Sequence, residues 1–349
     1  MRGIAGIRVG ATFRRGLEII LLVCVAYLFY RALSMGRLQD YASRVTPGVV
    51  FGLIAFQLVL LSLGSLGWGL LLREAGIGRG AVRTFLARIS GFSIMYLTPA
   101  VTFAGIPARA SAYRDSSMSE RALYATIALD SIIEIVGKIP AILTGFFFLL
   151  VLVRPGAPLV LLGGGFLLAL LCLSSLLVVK LLSGSPFIPR FLRPAAMLTA
   201  KISPRLACRI RRGLHGIARD VSTIVRRKKV FAAALLVAAA VGIGEVAQAL
   251  FILEALGCAK VSSAFIIYSS VLIHGVIGVL PGNLGGMEGT HIVVFGLLGL
   301  DSARAVLYSA LLRIGQMSMV LAGLLTFGVR RLARWRRAAP RARLSAADS

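Results

Sequence analysis

The chain has 349 residues, 58% of them hydrophobic, and carries a net charge of +26. With a mean hydropathy of +0.89 and several continuous apolar runs, it is a polytopic α-helical membrane protein, which excludes a soluble globular domain. A β-barrel is excluded too, because the runs are continuous rather than alternating. The basic residues sit between or after the apolar runs, without the aromatic interleaving or motif of a nucleic-acid binder. They are therefore read as topology signals and contacts for anionic lipid, with no nucleic-acid partner.

Taken in chain order, full spans are expected near 17–33, 48–72, 121–153, 158–182, 230–256 and 303–329. The first is read as a retained helix rather than a cleaved signal peptide, since its apolar run is long and more helices follow. Two further apolar segments, 84–104 and 262–300, contain breaks. The first break is Thr98-Pro99 to Ile106-Pro107, and the second is Leu280-Pro281-Gly282-Asn283-Leu284-Gly285-Gly286-Met287-Glu288. Cys24, Cys172, Cys208 and Cys258 are scattered without paired spacing and read as core thiols.

Charge parity constrains the path. The N-terminus carries Arg2, Arg8, Arg14 and Arg15, and the linker 183–229 is rich in arginine and lysine with only Asp220 opposing. Both belong inside, as does the tail 330–349 with Arg330, Arg331, Arg334, Arg336, Arg337, Arg341 and Arg343. Six full spans plus two hairpin segments that enter and leave on one side place these basic stretches in the cytoplasm; the loop 31–46 is a mild exception. The membrane part is then a single domain, 1–329, with inverted repeats at about 84–153 and 262–329. The first hairpin opens from the cytoplasm and the second from outside. Ser117–Tyr124 matches Asp301–Tyr308, each stretch beginning with a helix-capping residue, whereas alignment on the prolines shifts the register by two.

Paired breaks in two halves of a membrane protein point to a transport site, and an intramembrane carboxylate is a functional candidate by default. Pro281, Gly282, Gly285 and Gly286 leave backbone groups free to meet a ligand. Glu288 follows at the start of a short helix, and either pairs with Arg313 or binds a substrate or proton; a pair that opens would do both. Asp130, Glu134 and Lys138 share one helix face, where Glu134 and Lys138 are placed to neutralise each other. The alternatives there are an internal ion pair and the lining of a headgroup cavity. Gly105 and Arg109 follow the first break; Arg109 is an interfacial positive-inside residue or a phosphate ligand. Glu245 and Gln248 lie within a span, Glu245 as a neutral hydrogen-bonded acid or a proton carrier. Glu288-x-x-His291 has helical ligand spacing but lacks the second copy that a bundle metal site requires, so no metal and no cofactor is expected. No nucleophile motif or Gly-Lys-Ser/Thr phosphate loop supports catalysis or ATP hydrolysis.

The second motif, Pro-Gly-x-x-Gly-Gly-x-Glu followed by a Gly-Leu-Asp turn and a helix carrying Arg313, resembles the lysylphosphatidylglycerol synthase transmembrane-domain family. Thr98-Pro99 to Ala108-Arg109, with Asp130 and Glu134 on the next helix, resembles that family's first motif, although Ile106 stands where glycine or glutamate is common. The resemblance runs from about Gly48 to Phe327. It implies a flippase-like inner-membrane protein moving a phospholipid, a polyprenyl-linked lipid or a hopanoid-type envelope lipid, with both termini cytoplasmic and anionic membrane lipids as partners. No aminoacyl-transferase domain is expected in the short stretch after the last span. Two alternatives accompany it: a membrane subunit or enzyme of lipid or lipid-linked glycan synthesis, and a non-catalytic scaffold that recruits a glycosyltransferase.

Overall fold

The computed structural model describes residues 37–98, 105–115, 117–153, 216–217, 219–271 and 281–345, with isolated positions between 165 and 176. Every regular element among them is helical. They are α1 (Arg37–Ala42), α2 (Pro47–Glu74), α3 (Ala81–Leu97), α4 (Gly105–Tyr113), α5 (Glu120–Val153), α6 (Lys228–Ala255), α7 (Val261–Ser269), α8 (Gly286–Leu297) and α9 (Ser302–Ser345). A 3-10 turn, Pro281–Asn283, precedes α8. The expected span 17–33 lies outside the described residues, as do 158–182 apart from those isolated positions, most of the basic linker and the break residues 99–104.

Among the described residues, four helices are long and apolar enough to cross a bilayer: Pro47–Glu74, Glu120–Leu152, Lys228–Ala255 and Ser302–Thr326. At 1.5 Å per residue, even the shortest, with its 25 residues, exceeds a hydrocarbon core of about 30 Å. The last does not stop at the membrane: α9 carries on as helix through the arginine-rich stretch to Ser345.

The repeat reaches one span further upstream than the sequence match suggests. α2 and α6 both have 28 residues and end in the same way. The Gly76 N–H bonds the Arg73 carbonyl and the Ile77 N–H the Leu72 carbonyl; Gly257 and Cys258 do the same with Glu254 and Leu253. The glycines, at φ 70° and 68°, occupy the left-handed position that closes such a terminus. Each long helix then leads into a broken pair (α3–α4, α7–α8) and a second long helix (α5, α9). The packing partners exchange between halves: α6 lies on α5 as α2 lies on α9, and α7 lies on α5 as α3 lies on α9.

The two halves run in opposite directions. The Gln248 amide donates to Gln57 at 3.2 Å. Gly52 sits against Phe251, Gly67 against Val237 and Gly244 against Leu60. Higher numbers on α2 thus meet lower numbers on α6, and the equivalent helices cross antiparallel near their middles. That crossing is what an inverted repeat requires.

The first broken pair folds back on itself. The Arg79 N–H, before α3, donates to the Tyr113 hydroxyl at 2.8 Å, and Arg83 donates to the Arg114 carbonyl at 3.0 Å. The start of α3 therefore lies beside the end of α4. Between the legs, a Cβ on Gly91 would lie 2.9 Å from the Arg109 Cβ, and one on Gly105 would lie 2.9 Å from the Gly91 carbonyl oxygen. Glycine at both positions lets the legs meet backbone to backbone.

The register of the repeat also resolves. α5 is capped by Ser119, whose hydroxyl accepts from the Ala122 N–H at 3.4 Å, and α9 by Asp301, whose carboxylate accepts from the Arg304 N–H at 2.9 Å. Setting Asp301 on Ser119 also sets Pro281 on Pro99. The match of Ser117 with Asp301 is therefore corrected: the cap, not the similarity of the stretch, fixes the alignment, and Ser117 instead accepts from Arg79 at 2.8 Å.

Candidate functional site

Among the described residues, polar clusters interrupt the apolar interior, and two of them contain the residues singled out from sequence. The first forms where α3, α4, α5, α6 and α7 converge. Arg88 on α3 donates to Asp130 Oδ2 and to Glu134 Oε2, both at 2.8 Å. Its guanidinium has room because Gly64 carries no side chain, and it also bonds the Gly64 carbonyl at 3.0 Å. Arg109 on α4 donates to the same Asp130 oxygen at 2.5 Å and stacks over Trp68 at 3.8 Å. Lys138 then bridges Glu134 at 3.3 Å and Glu245 at 2.8 Å. Glu245 accepts a final bond from the Tyr268 hydroxyl at 2.8 Å. Arg88, Arg109 and Lys138 thus face Asp130, Glu134 and Glu245 in one unbroken chain.

A cavity of about 260 Å³ opens against this chain, lined by Arg88, Arg109, Glu134, Lys138 and Glu245 together with apolar residues that include Phe92 and Ile106. Asp130 lies behind it at 5% exposure. Helical spacing puts Asp130, Glu134 and Lys138 on one face as expected, and the Glu134–Lys138 pair forms. Arg109 is not an interfacial residue: it is 8% exposed and paired inside the bundle, because the hairpin carries it inward onto Asp130. Glu245 is met by one cationic and one hydroxyl donor.

The second cluster is built by the Pro281–Glu288 break. Gly282 and Asn283 take left-handed φ of 63° and 55°, and Gly285 has φ 85°. This bends the chain into α8 with its carbonyls turned aside. Glu288 sits in the first turn, 8% exposed, and accepts from the Gly285 N–H at 2.8 Å. Its other oxygen accepts from Arg313 Nε at 2.5 Å. Arg313 also donates to the Tyr96 hydroxyl and the Gly282 carbonyl, both at 2.9 Å. Tyr96 comes from the end of α3, and its hydroxyl lies 3.1 Å from Gln316. The innermost end of the first hairpin is therefore fastened to the second break through one arginine.

The residues singled out from sequence fall into two groups. Asp130, Glu134, Arg109 and Gly105 belong to the first cluster, and Pro281, Gly282, Gly285, Gly286, Glu288 and Arg313 to the second. Sequence reasoning missed Arg88, Tyr96, Trp68 and Tyr268. Arg88 was findable, since a lone arginine inside the apolar segment 84–104 is an intramembrane charge in its own right. The three aromatic residues carry no such signal. His291 is taken up by the Ser309 hydroxyl at 2.7 Å and the edge of Tyr308. Among the described residues no group of three histidine, cysteine or acidic side chains could hold a metal.

Architecture and site together define a polytopic helical membrane protein whose interior holds buried ion pairs. The family described as the lysylphosphatidylglycerol synthase TM region matches residues 16–323, and the chain belongs to it. It is 24% identical over 282 residues to a UPF0104 membrane protein of Methanothermobacter thermautotrophicus, covering 76% of this chain and 80% of the relative. No solved structure matches.

Proposed function

We propose that this protein is a flippase-like translocase of the inner membrane, with cytoplasmic termini, that moves the headgroup of an envelope lipid through the polar interior while the tails stay in the bilayer. The observation that carries the proposal is the polar cavity walled by Arg88, Arg109, Glu134, Lys138 and Glu245, set inside two antiparallel halves. Charges inside a bilayer are expensive and mark the path of a polar substrate. Alternating access in inverted-repeat transporters works by rocking one half against the other around a fixed site. The Glu288–Arg313–Tyr96 clasp joins the two hairpins, so its opening is the step that lets the halves separate. Phospholipid, polyprenyl-linked and hopanoid-type lipids all fit this scheme, and the basic stretches at the cytoplasmic face would gather anionic lipid there.

The test is reconstitution in liposomes with headgroup-labelled lipids of each class, following loss of outer-leaflet label. Glu288→Gln and Arg313→Ala should each change the rate of translocation of the true substrate, because each removes the charge pair of the clasp. Unchanged rates in both variants, or no protein-dependent translocation of any class, would refute the proposal.

A further inference from the structure

Helix α9 carries charge well past the membrane. Its apolar span is Ser302–Thr326, yet the helix runs on to Ser345. At a rise of about 1.5 Å per residue, Arg336 lies about 15 Å and Arg343 about 25 Å along the axis beyond Thr326. A tilt of about 20°, the average for spanning helices, lowers these heights by only about 6%. Pro340 sits within the stretch, and a bend there redirects only the last turn.

The headgroup layer is about 5–8 Å deep on each side of the hydrocarbon core. The arginines of the tail therefore divide. Arg330, Arg331 and Arg334 emerge at that layer and can meet lipid phosphate. Arg336 and Arg337 stand about one Debye length above it and Arg341 and Arg343 about two, with that length about 8 Å at physiological ionic strength. The pull of an anionic leaflet falls off within one such length. Lipid does not account for the distal four.

The helix does not neutralise them either. No acidic residue occurs between Asp301 and Asp348. Arg330 with Arg334, and Arg337 with Arg341, are like-charged pairs four residues apart, which weaken a helix. The helix dipole favours cations at its C-terminus, but only over the last turn. Carboxylates from another molecule would complete the arrangement, and the planar arginine fork takes a carboxylate through two parallel bonds. Four arginines within about 11 Å of helix match a short acidic run on a protein surface.

We propose that the distal part of α9, from Arg336 to Arg343, is a docking post for an acidic segment of a soluble protein. That this protein is cytoplasmic rests on the topology proposed above; the docking itself does not depend on translocation.

The test uses the full chain in nanodiscs of mixed phosphatidylcholine and phosphatidylglycerol, which expose both faces. The first measurement reads the geometry. In a background lacking the native cysteines, bimane on Leu332→Cys should be quenched by a nitroxide carried on the lipid headgroup, and bimane on Ser345→Cys should not. Equal quenching at both positions lays the tail on the bilayer and overturns the proposal.

The second measurement reads docking, as the anisotropy of a fluorescein-labelled oligoglutamate peptide. Glutamine at Arg336, Arg337, Arg341 and Arg343 together should weaken binding about tenfold, and glutamine at Arg330, Arg331 and Arg334 by less than about threefold. Glutamine is a good helix former, so both variants keep the helix. Equal losses from the two variants, or no peptide binding to the unmutated protein, overturn the post. Tighter binding of an oligothymidylate of equal charge would assign it to nucleic acid and overturn the acidic protein partner. Docking is read without translocation, so its failure leaves the translocase standing and failure of the liposome assay leaves docking untouched.

Discussion

The Glu288–Arg313 pair predicts its own energetics. Both side chains are largely buried, 10% and 15% exposed, and meet at 2.5 Å. Replacing Arg313 by glutamine leaves the carboxylate held by the neutral Gly285 N–H. Replacing Glu288 by glutamine leaves the guanidinium on neutral oxygens of Tyr96, Gly282 and Asn283. Each single change strands a buried charge and should cost about 3–5 kcal/mol. Changing both removes both charges and keeps amides that can bond each other, so the double variant should be less destabilised than the two losses added. The expected coupling is about 2–3 kcal/mol, at the upper end of values for contacting pairs. Unfolding of the four proteins of this cycle by SDS titration in mixed micelles, followed by far-UV circular dichroism, measures it. Additivity within about 0.5 kcal/mol would refute the buried-pair reasoning.

Three further predictions follow from the same geometry. Gly67→Cys with Val237→Cys, in a background lacking the native cysteines, should oxidise to a disulfide, because a Cβ on Gly67 lies 3.7 Å from the Val237 Cβ. After trypsin cuts the linker 183–229, the halves should stay together on a non-reducing gel; separated halves would contradict the antiparallel crossing. Gly282→Ala should destabilise by about 1–3 kcal/mol, since φ is 63° and the new methyl would lie 2.6 Å from the Tyr96 ring. Gly289→Ala meets nothing within 4 Å and should instead be neutral or slightly stabilising, both read by thermal unfolding in detergent. Lys138→Met should lower the unfolding temperature more than Lys138→Met combined with Glu245→Gln, because the second change removes one of the carboxylates the first leaves unpaired.

Much of this organisation is legible in the sequence because a bilayer imposes coarse rules. The spans at 48–72, 121–153, 230–256 and 303–329 follow from apolar length, and the breaks from Pro99 and Pro281. Glu288 and Arg313 stand out as charges in apolar runs, and their pairing is among the arrangements the sequence allows. Less legible is what depends on the third dimension. Arg109 follows a proline break and is followed by polar residues, so it resembles an interfacial arginine; only the fold-back of α4 buries it against Asp130. The Lys138–Glu245 contact joins helices far apart in the chain, and no local pattern reports it. Similarity along 117–124 and alignment on the prolines give repeat registers that differ by two residues, and the hydrogen bonds at the helix starts agree with the prolines.

That corrected register exposes an asymmetry with functional weight. It sets Glu288 on Ile106 and Arg313 on Ser131, so the clasp has no charged counterpart in the first half. In the opposite direction Asp130 falls on Leu312, Glu134 on Gln316 and Arg109 on His291, so the second half cannot reproduce the chain of ion pairs at the cavity. A symmetric frame therefore holds two non-equivalent polar devices. One is a cavity whose charges cancel while a buried donor stays unpaired. The other is a fastening between hairpins whose donors and acceptors are largely consumed internally. A site that must exchange partners benefits from the first arrangement, and a joint that must hold until displaced benefits from the second. Mutations at Arg109 and Glu245 should then act on which ligand binds. Those at Glu288 and Arg313 should act on how readily the halves separate, leaving ligand preference unchanged.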